Sequence, residues 1–192
     1  MAAIKLNNYN YQDYLDIDKT TNEKTRVELI FGEIHMMSGC SAKHQDVVLR
    51  VAMNIQQKRN NKCYSRIAPY DIKINLDNEI NVVQPDVMIF CENEIMPCAV
   101  FEVLSPSTAR KDKSVKKDLY ELAKIKEYYI INTDLEIIDK YILDNGKYYY
   151  ERGFSPCKDE TVKIECIDAN ILVSDIFENI KDCEEEELKN EN

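Results

Sequence analysis

Two stretches decide how this chain is read: Val83-Gln84-Pro85-Asp86-Val87-Met88-Ile89-Phe90, and Val100-Phe101-Glu102-Val103-Leu104-Ser105-Pro106-Ser107-Thr108. Both are rich in β-branched and aromatic residues, so both predict buried strands. We expect one strand over Val82–Cys91 and another over Cys98–Leu104. Each carries one acid, Asp86 or Glu102, among apolar neighbours. A carboxylate in such company is costly unless a charge or hydrogen bonds compensate it. Two of them on neighbouring strands would repel each other. A hard divalent cation such as Mg2+ or Mn2+ answers both problems, since it takes carboxylate, carbonyl and water oxygens. The Val103 carbonyl could add a ligand. The plainer alternative is that each acid pairs with an Arg or Lys, or reaches water at a strand end.

Working outward, Val27–Met37 predicts a hairpin turning at Phe31-Gly32. Ser38-Gly39-Cys40-Ser41 ends it and can cap a helix over Lys43–Arg59, where Val48, Val51, Ala52 and Ile55 form an apolar stripe. Cys63–Ile67 and Tyr70–Leu76 read as strands, with a turn at Asp77-Asn78-Glu79. After Thr108 a helix is expected over Ala109–Lys124, with Val115, Leu119, Leu122 and Ala123 inward. Glu127–Asn132, Ile137–Leu143 and Tyr148–Tyr150 follow as strands, the last two joined by an Asp144-Asn145-Gly146 turn. An Ile-rich helix is expected after Ser174. The fold class is therefore α/β (α+β): a mixed β-sheet flanked by helices. Residues 1–26 read as an N-terminal arm, 27–180 as one domain, and 181–192 as an acidic, disordered tail.

Composition limits the function. The chain has 192 residues, 44% hydrophobic and 31% charged, which suits one globular domain. No apolar run approaches the ~20 residues of a bilayer span, and no export signal opens the chain. A cytoplasmic protein is expected. The seven cysteines are odd in number and lack any CxxC pair. Reduced, mostly core thiols are therefore expected, with neither a disulfide framework nor a structural zinc site. The net charge is −10, and half of it lies in Glu178–Asn192. The mildly acidic body argues against purely electrostatic nucleic-acid binding, though a local basic site remains open.

The helix after Thr108 carries Arg110, Lys111, Lys113, Lys116 and Lys117. At about 100° per residue Lys116 borders the apolar stripe and can reach the sheet. Lysines on such a helix are commonly just solvated. No Gly-rich turn marks a Rossmann or P-loop site.

Pro85-Asp86, then Glu102 ending an apolar strand, then a lysine resembles the PD-(D/E)xK nuclease superfamily. Val27-Glu-Leu-Ile-Phe-Gly-Glu-Ile, His44-Gln45, Val83-Gln-Pro-Asp, Glu102-Val-Leu-Ser-Pro-Ser-Thr, the Lys116–Tyr120 segment and Glu127-Tyr-Tyr-Ile resemble, more narrowly, the Uma-type family of restriction endonucleases. The likeness spans about Glu28–Leu143 and implies a restriction-endonuclease-like core. It departs from the superfamily at Leu104, where the usual lysine would stand; the Uma-type pattern points instead to Lys116, with Lys117 as competitor. The resemblance implies a metal-dependent endonuclease acting on nucleic acid, most simply DNA. Catalytic roles would fall to Asp86, Glu102 and Lys116. Mg2+ (or Mn2+) would be held by Asp86, Glu102, the Val103 carbonyl and Glu33, an acid of the early hairpin. His44, Gln45, Gln84 and Lys117 would support the site. Arg110, Lys111 and Lys113 would contact the nucleic-acid backbone, as could Lys58, Arg59, Lys62 and Arg66. A homodimer is expected, since two sites can then meet two strands.

Two alternatives come from other classes. One is a catalytically silent nucleic-acid-binding or interaction protein on the same fold. The other is a hydrolase using Ser105 or Ser107 with His44, although no G-x-S-x-G elbow surrounds either serine.

Overall fold

In a computed structural model of the chain, residues 8–21, 25–37, 39–92, 94–105 and 112–177 are described. Helix α1 (Tyr11–Thr20) comes first, capped by Asn10, whose side chain accepts the Gln12 and Asp13 amides. A hairpin follows, β1 (Arg26–Ile30) and β2 (Glu33–Met37). Phe31 (φ 48°) and Gly32 (φ 77°) turn it, the left-handed pair that a two-residue hairpin with matching twist requires. Helix α2 (Ala42–Lys58) starts on Ser41, whose Oγ accepts the His44 amide.

The remaining strands are β3 (Cys63–Ile67), β4 (Ile72–Leu76), β5 (Glu79–Val83), β6 (Val87–Cys91), β7 (Ala99–Val103), β8 (Glu127–Asn132), β9 (Ile137–Asp144), β10 (Lys147–Phe154), β11 (Thr161–Ile164) and β12 (Ala169–Leu172). A short helix α3 (Lys117–Leu122) precedes β8. Six strands form the main sheet in the order β10-β9-β8-β7-β6-β3, and four form a second sheet, β2-β1-β5-β4. The β7–β8 pair is parallel and the other pairs are antiparallel, so the main sheet is mixed.

The layers follow from side-chain alternation. On one face of the main sheet, Val87, Ile89, Phe101 and Val103 pack against Val47, Val51 and Ile55 of α2 and against the β11–β12 hairpin. On the other face, Met88, Phe90, Val100 and Ile130 pack against Ile72, Ile74 and Ile30 of the second sheet and Leu119 and Tyr120 of α3. Val27 and Leu29 of β1 turn outward to Tyr14 of α1. By the same alternation Glu28 and Ile30 turn inward, toward the main sheet.

Three expectations are corrected, and a fourth lies largely outside the described residues. Val82–Cys91 is two strands, because Pro85 offers no amide to a ladder and the chain crosses between sheets at Gln84-Pro85-Asp86. The helix expected to begin at Ala109 is, where described, a π-helical turn (Asp112–Lys116) leading into α3. A π-turn adds a residue and shifts the phase of the buried face. Leu122 is consequently 54% exposed, whereas Lys116 and Tyr120 are buried. Segment 166–172 enters a β-hairpin, with only a 3-10 turn at Val173–Asp175; the helix expected beyond it and the acidic tail lie outside the described residues. Finally, not all thiols are reduced: Cys63 and Cys91 stand directly opposite on β3 and β6 and form a disulfide. Sequence spacing could not reveal this, since a cross-strand register brings together residues 28 apart.

Ile55 is fully buried on α2 and Leu49 is 55% exposed. Urea unfolding should therefore find Ile55→Ala destabilising by about 2–5 kcal/mol, and Leu49→Ala changing stability by less than about 0.5 kcal/mol.

Candidate active site

The β6–β7 register pairs Val87 with Phe101, so one step beyond it Asp86 comes level with Glu102. Asp86 lies at the mouth of β6, where the chain leaves the second sheet. Its Oδ2 accepts the Val103 amide at 2.8 Å, which ties the end of β6 to the end of β7. Glu102 is 3% exposed. Its Oε1 accepts from Lys116 Nζ at 2.9 Å and from the Tyr120 hydroxyl at 2.7 Å. Asp86, Glu102, Val103 and Lys116 are thus brought to one end of the main sheet.

Lys116 ends the π-turn and is 2% exposed. Its ammonium also meets Glu28 Oε1 at 2.9 Å. The same Glu28 oxygen accepts the Gln84 amide at 3.0 Å. Glu28 and Tyr120 were missed in the sequence. The signal for Glu28 was present: an acid in the apolar run Val27-Glu-Leu-Ile, the feature that singled out Asp86 and Glu102. Tyr120 carried none, because the π-turn that turns it inward has no mark in composition. Burial and the charges of Glu102, Tyr128 and Glu28, with the bond to Glu102, push the Tyr120 hydroxyl well above its usual range, so it stays a donor.

His44 enters from the first turn of α2, buried, with Nε2 3.2 Å from Asp86 Oδ2. Burial works against an imidazolium here. Asp86, by hydrogen bond and charge, and the Val103 backbone outweigh that cost and the Arg26 charge, so His44 titrates above its usual value. Gln84 contributes its side chain as well, donating to Asp71 at 2.8 Å.

Other candidates are placed elsewhere. Glu33 is on β2, opposite Ile30, with its carboxylate 72% exposed and 3.8 Å from His35 Nε2. By hairpin register it shares the face of Glu28, but it sits at the turn end of the edge strand β2, where its carboxylate stays in solvent instead of under the main sheet. Lys117 lays its ammonium 4.8 Å from the Tyr141 ring centre. Lys58, Arg59 and Lys62 follow the far end of α2, where Lys58 bonds the Asn170 carbonyl and Lys62 pairs with Glu92. Seventeen residues of helix separate that end from the first turn, about 25 Å. Arg66 is nearer, exposed, its guanidinium over the Tyr64 ring. Arg110, Lys111 and Ser107 lie outside the described residues, and Lys113 is described only as backbone of the π-turn.

The ends of β6 and β7 carry hard oxygen donors: the carboxylates of Asp86 and Glu102, and the Val103 carbonyl between Glu102 and the loop. Such a donor set fits Mg2+ or Mn2+ and is wrong for a soft metal. The buried Lys116 sets a further expectation. Lys116→Met leaves Glu28 and Glu102 buried without that ammonium, and chemical denaturation should register a loss of about 3–5 kcal/mol. Lys147→Met, at the Lys147–Glu121 pair whose ammonium lies in solvent, should cost at most about 1 kcal/mol.

Comparison with known proteins bears on the family and the fold. An uncharacterized protein of Synechocystis is 29% identical over 140 residues, which cover 68% of this chain and 72% of that protein. A crystal structure from Anabaena variabilis, described as "a putative nuclease belonging to DUF820", superposes with a TM-score of 0.66 at 14% identity, over 86% of this chain and 96% of that one. At that identity the likeness establishes the shared fold. No helix among the described residues is long and apolar enough to cross a membrane. Residues 11–164 match the family "Uma2: Putative restriction endonuclease", and with most of the chain accounted for, this protein belongs to that family.

Proposed function

We propose that this protein is a divalent-metal-dependent endonuclease that hydrolyses phosphodiester bonds in DNA. The observation that carries the proposal is the level pairing of Asp86 and Glu102 on adjacent strand ends, with Lys116 Nζ 2.9 Å from Glu102. Asp86, Glu102 and the Val103 carbonyl would hold Mg2+ or Mn2+. When bound, such an ion lowers the pKa of a coordinated water and offsets charge on the scissile phosphate.

The protein's own groups do the rest. Lys116 sets a positive charge beside the carboxylates, where it stabilises the negative charge that builds on the phosphate. Glu28 and Glu102 fix that ammonium, and the Tyr120 hydroxyl donates to the same Glu102 oxygen, so the lysine is held rather than searching. His44 orients Asp86, and the Gln84 amide orients Glu28. Arg110, Lys111 and Lys113, on the connection after β7, would hold backbone phosphates, which positions the substrate without reading its sequence. The protein would act in the cytoplasm as a two-fold dimer.

Supercoiled plasmid incubated with the protein and Mg2+ or Mn2+ should be nicked or linearised, and chelator should stop the reaction. Asp86→Asn keeps an acceptor for the Val103 amide but loses the charge; its cleavage rate should fall at least about 10²-fold. A cleavage rate unchanged in Asp86→Asn overturns the assignment. DNA retained without cleavage, and without a metal requirement, would point to a silent binding protein instead.

Metal binding has its own readout. At 100 times Kd, Mg2+ or Mn2+ should stabilise the native protein by about 2.7 kcal/mol, and Asp86→Asn should abolish most of that shift. Sedimentation equilibrium should give twice the 22.4 kDa chain mass.

A further inference from the structure

At the opposite end of β6 and β7, four cysteines from three separate parts of the chain converge. Cys63 opens β3, Cys91 closes β6, Cys98 immediately precedes β7, and Cys166 sits in the 3-10 turn between β11 and β12. Cys63 and Cys91 are bonded. Cys98 Sγ is 3.6 Å from Cys91 Sγ. The sulfurs of Cys91, Cys98 and Cys166 all lie within 4.8 Å of one another. Cys91 is five residues past Asp86 along one strand, and Cys98 four before Glu102 along the next. At about 3.3 Å per residue this is roughly 13–17 Å from the carboxylates, so the cluster is no part of the site above.

The donors are all sulfur, and the spacing of the Cys91, Cys98 and Cys166 sulfurs suits a metal, with Cys63, bonded to Cys91, beside them. With Zn–S near 2.3 Å, the edges of a tetrahedral thiolate site are about 3.8 Å. The cluster is also built. Cys98 is buried between the strands. Cys166 is pinned by its amide, which donates to the buried Glu127 carboxylate at 2.8 Å, and that carboxylate also accepts the Glu165 amide and the Tyr129 hydroxyl. The lack of any short Cys spacing in the sequence does not count against the site, because β-sheet register and the docking of the β11–β12 turn supply the proximity.

We propose that, once the Cys63–Cys91 disulfide is reduced, Cys63, Cys91, Cys98 and Cys166 bind one Zn2+-class cation as a tetrahedral thiolate site. The site clamps the β11–β12 turn to the main sheet, and the disulfide is its lock. Opening it is a two-electron reduction. With a phosphine, the S–S bond breaks, the phosphine takes the oxygen of a water to become its oxide, and the water's two protons end on the sulfurs of Cys63 and Cys91. Metal binding then releases one proton per ligating thiol. The proposal holds or fails independently of the nuclease assignment.

The test uses the full chain and Co2+ alone as probe, under anaerobic conditions. Phosphine-reduced protein should take up one equivalent of Co2+ with the thiolate-to-cobalt charge-transfer and visible bands of a tetrahedral site, and Zn2+ should displace it. Disulfide-bonded protein should give none of these bands. A carboxylate site cannot produce the thiolate band, so Asp86 and Glu102 do not confuse the reading. Cys98→Ser and Cys166→Ser each break the close Cys91, Cys98 and Cys166 triad and should lose the band at stoichiometric Co2+, and Cys40→Ser should keep it. Cys63→Ser leaves the Cys91 thiol unlocked and should bind Co2+ without reductant, with a weaker charge-transfer band. No thiolate band from reduced wild-type protein overturns the proposal, whatever the variants do. So does a band that persists when Cys98 and Cys166 are both Ser.

Discussion

Lys116 is 2% exposed, and its ammonium meets Glu28 and Glu102 at 2.9 Å each. A charge taken that far out of water survives only if its partners are fixed. Each partner belongs to a different sheet, Glu28 to the second and Glu102 to the main one. The lysine itself arrives from the π-turn that leads into α3. One cation therefore ties three elements together. The Gln84 amide on Glu28 and the Tyr120 hydroxyl on Glu102 complete the arrangement, and both are set by the same packing.

Two local breaks in regular structure make that geometry possible. Pro85 cannot donate to a ladder, so the chain leaves one sheet and enters the other there. Asp86 is left at a strand mouth, partly reachable, instead of inside the apolar strand. The π-turn over Asp112–Lys116 does the same for the lysine, ending with Lys116 inward where an unbroken helix would only have bordered it. Functional groups here sit at the interruptions of regular elements, and the apolar alternation on either side makes those interruptions rigid.

Strands β6 and β7 carry different chemistry at their two ends. Oxygen donors gather where β6 begins and β7 ends; sulfur gathers where β6 ends and β7 begins. The strand length between them separates hard oxygen donors from soft sulfur ones. Val87, Ile89, Phe101 and Val103, all nearly fully buried, form the stiff middle.

Much was legible in the sequence because local chemistry decided it. The hairpin at Phe31-Gly32, the Ser41 cap, the α2 stripe and the turn at Asn145-Gly146 follow from backbone sterics and periodicity within a few residues. Asp86 and Glu102 stood out because a charge in an apolar run is costly and demands a partner, and Lys116 because it borders the apolar stripe of its helix. Which partner each would find was not legible. Glu28 and Glu33 lie on one face of the same hairpin, and only the packing of the second sheet on the first covers Glu28 and leaves Glu33, on the edge strand, in solvent. The disulfide and the sulfur cluster depend wholly on register and on where the β11–β12 turn docks. Such contacts join residues far apart in the chain, and tertiary packing, not local preference, brings them together.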